Sequence, residues 1–195
     1  MPKKPAPATW TAHRISGLMD GVFAIAMTLL VFNLKIPTVP ESAPAGALGK
    51  ELWAQLPQFL SFGLSLLVLG VYWVAYTILF HLVQRTDRLY HWVCLIYVLC
   101  VICVPFSANL ISQYPGRLEA VLFYGFNLVA CSLALYLNYW YALSRNLMGP
   151  QAHPVAIQAL KRRILIGTAI YLSATLLAFI DTRISLTIFV LISLF

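Results

Sequence analysis

Apolar residues gather into six long runs, separated by short polar or proline-marked stretches. The runs cover residues 15–36, 56–80, 89–111, 118–143, 164–180 and 184–195. A helix needs about 20 predominantly apolar residues to cross a bilayer. The pattern therefore predicts an all-α, polytopic membrane protein built as a six-helix bundle. Pro37, Pro40 and Pro44 mark a loop after the first run, and Gly149-Pro150 with Pro154 marks another after the fourth. The last run has 12 residues, about 18 Å of helix against a hydrocarbon core of roughly 30 Å. Either that segment is short or its helix continues beyond this sequence. No internal repeat and no separate soluble unit is visible, so residues 1–195 read as a single membrane domain.

Composition strengthens the membrane reading. The chain is 61% hydrophobic and 10% charged, with a mean hydropathy of +0.84. Soluble domains run near 45–50% apolar and about 25% charged. The net charge of +7 could suggest nucleic acid, but the basic residues other than Lys35, at the end of the first run, sit outside the apolar runs, where membrane topology accounts for them. Nine Lys and Arg fall on one side: Lys3, Lys4, Arg14, Arg85, Arg88, Arg145, Lys161, Arg162 and Arg163. The other side carries four: Lys35, Lys50, Arg117 and Arg183. That bias predicts a cytoplasmic N-terminus in the cell membrane. Residues 1–13 lack the apolar core of a secretory signal and read as a short cytosolic tail.

The polar chemistry is sparse. Cys94, Cys100, Cys103 and Cys131 all fall in apolar runs, and the C-x-x-C of Cys100 and Cys103 has no second ligand pair, so they read as small buried residues on helices. No H-E-x-x-H, no G-x-S-x-G and no convergent carboxylate pair at membrane depth is present. The chain is expected to be neither an enzyme nor a holder of a cofactor or resident metal. Intramembrane amides such as Asn127 and Asn138 are expected to join helices, while Asn33 stands apart near the extracellular end of the first run.

The exception is the first run. Apart from Glu119 at the very start of the fourth run, Asp20 is the one carboxylate inside a spanning segment, and an ionisable group at membrane depth is costly and points to function. On a wheel of about 100° per residue, Arg14, Leu18, Gly21, Ile25, Thr28, Leu29 and Phe32 share one broad face, while Asp20 falls elsewhere. Gly17 and Gly21 form G-x-x-x-G, continued by Ala24 and Thr28, a pattern that lets membrane helices approach closely.

These residues carry a resemblance. Arg14-Ile-Ser-Gly-Leu18-Met19-Asp20 is similar to the R-x-x-x-F-S-D motif that opens the first helix of the endosomal and lysosomal potassium channel family (transmembrane protein 175) and its prokaryotic relatives. Trp73, then Asp87-Arg88-Leu89, then Val104-Pro105-Phe106-Ser107 resemble that family's second and third helices. The motif's Phe and Ser stand here as Leu18 and Met19, the family's histidine as Tyr76, and its asparagine as Cys94. The resemblance implies a prokaryotic-type homotetramer whose first helices line a central pore. Ile25 would form the main constriction, Leu29 and Phe32 would follow it, and Thr28 would be the polar contact beside it. Potassium would pass transiently near Ile25 and Thr28. Arg14 and Asp20 would form a structural network, with Asp20 buried against the second or third helix and paired with an arginine.

An apolar ring gates by dewetting, and the absence of T-V-G-Y-G excludes a carbonyl-lined filter of the common potassium-channel type. The expected function is a potassium-preferring cation channel, with potassium ions, the lipid bilayer and other copies of the chain as partners and no nucleic acid. The competing reading is a proton- or ion-coupled transporter, which needs titratable groups at the midplane where only Asp20 comes near. A non-conducting assembly subunit is the third, and it would give no flux when purified.

Overall fold

The computed structural model describes residues 10–114, 116–150 and 152–193. Most of the N-terminal tail and the last two residues of the sixth run lie outside them. The described chain is helical: α1 (Ala12–Leu29) running into a 3₁₀ turn (Leu30–Asn33), α2 (Ala47–Ala54), α3 (Leu56–Leu82), α4 (Arg88–Ile102), α5 (Val104–Gln113), α6 (Leu118–Ser144), α7 (Pro154–Leu177) and α8 (Thr182–Ser193). One antiparallel pair of two-residue strands, β1 (Trp10–Thr11) and β2 (Arg85–Thr86), ties the start of α1 to the α3–α4 connection. The end of the expected tail is thus paired backbone.

Four helical segments are long and apolar enough to cross a membrane: Arg14–Asn33, Leu56–Leu82, Arg88–Gln113 and Leu118–Ser144. They coincide with the first four apolar runs. The remaining two runs are also helical but differ from expectation. Residues 154–163, read as loop from Pro154 and the basic triplet, are the first turns of α7. The physical reason is positional: Pro154 occupies the first helical turn, where its missing N–H costs nothing, and His153 caps the end by accepting from the Val155 amide. Likewise the proline-rich loop after the first run contains the short, wholly unburied α2.

The third span is broken. Pro105 has no N–H to continue the ladder, and α4 gives way to α5 at Cys103. Asn127 of α6 closes the gap: with its amide oriented to satisfy both sides, Nδ2 donates to the Cys100 carbonyl (3.1 Å) and Oδ1 accepts from the Val104 amide (3.2 Å). Asn138 works in the same way lower in α6, donating to the carbonyls of Ala134 (2.8 Å) and Val93 (3.3 Å) and accepting from the Cys94 thiol (3.1 Å). Both amides join helices across the core, as a hydrocarbon setting favours.

The core is rich in aromatic rings. Tyr76 stacks on Tyr97 with centroids 5.6 Å apart, and Phe23 of α1 packs 6.0 Å from Tyr97. Tyr72 donates to the Leu128 carbonyl at 2.7 Å, so its buried hydroxyl is satisfied within the bundle. Against α7, Gly125 of α6 is in such close approach that a Cβ there would collide with the Thr175 side chain. Only glycine lets these two helices meet.

Candidate functional site: the outward face of the first helix

Helix α1 has two faces set by its periodicity. Ile15, Met19, Phe23, Ala26 and Leu30 are buried, at spacings of four, four, three and four residues. This is the stripe a 3.6-residue repeat presents to a core, and it packs on α3 and α4. The opposite face carries Leu18, Gly21, Ile25, Thr28, Leu29 and Phe32, all exposed in the single chain. Ile25 is 60% exposed and Phe32 is 79% exposed, too much for residues that a monomer would cover. The six residues that the wheel groups with Arg14 therefore do share one open surface, and Arg14 is exposed near its beginning.

Local geometry fixes the polar residue on that face. The Thr28 hydroxyl donates to the Ile25 carbonyl at 2.9 Å, holding Oγ1 one turn from the Ile25 side chain. Its lone pairs stay available on the open side, because a hydroxyl accepts as well as donates. Past Leu29 the helix tightens into the 3₁₀ turn that bears Phe32. Asn33 ends that turn by donating to the Pro105 carbonyl of α5 at 3.4 Å, which ties the end of the first span to the broken third one.

Asp20 lies against the second span, as expected, but its partner there is not an arginine. Its Oδ1 accepts a hydrogen bond from Trp73 Nε1 of α3 at 2.9 Å. The residue is exposed in the single chain, and among the described residues no salt bridge joins it to an arginine. The reason lies in direction: Arg14 is six residues earlier, about 9 Å along the axis, while the indole of Trp73 faces the carboxylate directly across the α1–α3 contact. Trp73 is the partner that the sequence did not pair with Asp20. It stands 53 positions from Asp20 in an apolar run, and no spacing rule links an acid to an indole at that distance.

The profile of the family described as endosomal/lysosomal potassium channel TMEM175 matches residues 14–105. A potassium channel of Streptomyces collinus is 31% identical over 187 residues, covering 93% of this chain and 89% of its own. The chain belongs to the TMEM175 family. A potassium channel of Chamaesiphon minutus is also 31% identical, over 92% of this chain and 90% of its own. The crystal structure of a lysosomal potassium-selective channel TMEM175 homolog from the same organism superposes with a TM-score of 0.82, at 26% identity and 94% coverage of each chain.

Within the TMEM175 frame, the matched residues are those that build α1, α3, α4 and the start of α5, so they contain both the open α1 face and the Trp73–Asp20 bond. The departures from the family's motif have structural consequences. Met19 packs into the core, and Leu18 lies on the open face. Tyr76 is buried among Phe23, Phe80 and Tyr97, and its hydroxyl has no hydrogen-bond partner among the described residues. Cys94 spends its weak donor on Asn138. The polar contact between first and second spans is thus carried by Trp73 and Asp20. No group of three or more His, Cys, Asp or Glu able to hold a metal ion occurs among the described residues.

Proposed function

We propose that this chain is the subunit of a potassium channel in the cell membrane, a homotetramer in which the open faces of α1 close around the ion path. Ile25 forms the narrowest ring, Leu29 and Phe32 extend it, and Thr28 offers the polar contact beside it. Arg14 stands at the cytoplasmic mouth, and Asp20 with Trp73 holds α1 on its own bundle. The bundle crosses the membrane six times, α7 and α8 supplying the last two crossings. The basic turn of α7 reaches the interface, as Lys and Arg do when they snorkel.

The observation that carries this reading is the apolar, unburied stripe on α1. Of the four apolar spans, the one ending at Asn33 is the least covered by its own chain, with 28% of its most apolar 18-residue stretch buried against 33–56% for the others. A face of this kind, with Ile, Leu and Phe at helical spacing and one hydroxyl, conducts only where wetting and dewetting of a narrow passage control the ion. The names of the relatives as potassium channels support the same ion. A transporter reading would need a titratable group on this face, and the carboxylate nearest to it is occupied by an indole N–H.

The test is purified protein in liposomes, with the oligomer mass measured in the same detergent. Potassium flux exceeding sodium flux together with a tetramer mass is expected. A monomer or dimer mass in a conducting preparation contradicts a pore made from one helix per chain.

A further inference from the structure

A groove of about 800 Å³ opens on the outside of the bundle between α3, α6 and α7. Its walls are Leu66, Gly70, Val74 and Ile78 of α3 with Gly167 and Ile170 of α7, and Arg163 is the charged residue among its lining. Three buried hydroxyls line it, those of Tyr72, Ser132 and Tyr171; Tyr72 and Ser132 are engaged with each other at 2.9 Å, and the Tyr171 ring stacks on that of Tyr72. The surface is therefore hydrocarbon-like along its length, with a cation.

The position of that cation follows from the packing. Ser65 meets Tyr124 and Tyr72 meets Ser132, so α3 and α6 run in the same sense. Gly125 near the start of α6 meets Thr175 near the end of α7, so α7 runs the other way. Tyr72 and Tyr171 stack with centroids 5.9 Å apart and set a common level. From Tyr171 back to Arg163 is eight residues, about 12 Å of helix. The same distance along α3 from Tyr72 reaches Phe80, just before α3 ends at Leu82. Arg163 thus sits at the end of the groove, level with the end of a span. From Leu66 to Ile78 the groove is about 18 Å long, close to the roughly 15 Å of one leaflet's hydrocarbon.

Charge completes the match. Lys161 and Arg162 precede Arg163 on the same turn, α7 contains no acid, and among the described residues no salt bridge neutralises the triplet. We propose that the groove holds an acyl chain of an anionic glycerophospholipid from the adjacent leaflet, with its phosphate on Arg163. An amphiphile one leaflet long, apolar along its body and negative at one end, is the occupant that both the length and the charge fit. Neutral hydrocarbon would leave the cation unused, and free phosphate would leave the apolar walls bare. The groove wall also includes Trp73 and Met27, so a lodged chain packs on the indole that holds α1. The inference rests on the membrane-spanning reading above, but binding is read without flux, so the two fail separately.

The experiment is native mass spectrometry of the full-length protein titrated with phosphatidylglycerol or phosphatidylcholine. Wild-type protein is expected to retain phosphatidylglycerol preferentially. Arg163→Gln should weaken that retention about fivefold, the scale of one basic residue near a membrane surface. Gly167→Leu should abolish it by filling the groove, and a Cβ there meets no atom within 4 Å, so the fold accommodates the change. Equal retention of both lipids, or retention untouched by both substitutions, overturns the proposal. A fall in oligomer mass on Gly167→Leu with lipid retention unchanged also overturns it, since a second copy would then cover the groove.

Discussion

Ile25→Asn is expected to raise potassium flux through reconstituted protein on the order of tenfold, a barrier lower by about 1.4 kcal/mol, and to reduce the preference for potassium over sodium. The side chain is 60% exposed on a helix whose opposite face is buried, so the substitution touches little of the subunit's own core. An amide of similar size replaces four-carbon hydrocarbon with a group that hydrogen-bonds water. If four such positions ring a narrow passage, each adds polar surface where dewetting had set the barrier. The fold should survive, because the buried stripe of Ile15, Met19, Phe23, Ala26 and Leu30 is unchanged. Stopped-flow or fluorescence flux assays in potassium and sodium gradients measure both effects. Unchanged flux and selectivity in folded, reconstituted protein would remove Ile25 from the ion path.

Trp73→Phe is expected to destabilise the protein by about 1–2 kcal/mol. The ring is kept, but the Nε1–H that donates to Asp20 at 2.9 Å is lost. Hydrogen bonds to charged groups contribute roughly 1.5–3 kcal/mol, and the figure is reduced because Asp20 is exposed in the single chain. Asp20→Asn should cost less than Trp73→Phe, since an amide oxygen still accepts from the indole. The decisive quantity is coupling. Thermal melts of Trp73→Phe, Asp20→Leu and the double variant should show a non-additive term of about 1 kcal/mol, as residues in direct contact do. Strictly additive shifts would mean that the bond does not hold α1 to α3.

Much of the architecture was legible because membrane helices write their length into uninterrupted apolar runs. Residues 56–80 became Leu56–Leu82 and 118–143 became Leu118–Ser144 with little change at either end. The face of α1 was legible for a related reason: Ile25, Leu29 and Phe32 recur at helical spacing, so burying one side of the helix leaves them together on the other. The start of α7 was hidden because Pro154 and the Lys161–Arg163 triplet look like loop chemistry. A proline in a first turn and long cationic side chains at an interface are both compatible with helix. The break at Cys103 was invisible within a continuous apolar run, although Pro105 marks its place. The Trp73–Asp20 bond was least accessible of all. It depends on how α1 and α3 rotate against each other, and the expectation of an arginine partner for Asp20 followed from charge alone where geometry favoured the indole.

The central claim is that ions travel along the open face of α1, and thiol modification tests it most directly. Ile25→Cys and Leu133→Cys both place a sulfur at an exposed position, the first on that face and the second on the outside of α6. A cationic methanethiosulfonate reagent should nearly abolish potassium flux through Ile25→Cys liposomes and leave Leu133→Cys and wild-type flux unchanged. Flux through a conducting Ile25→Cys protein that is modified yet undiminished would contradict the account.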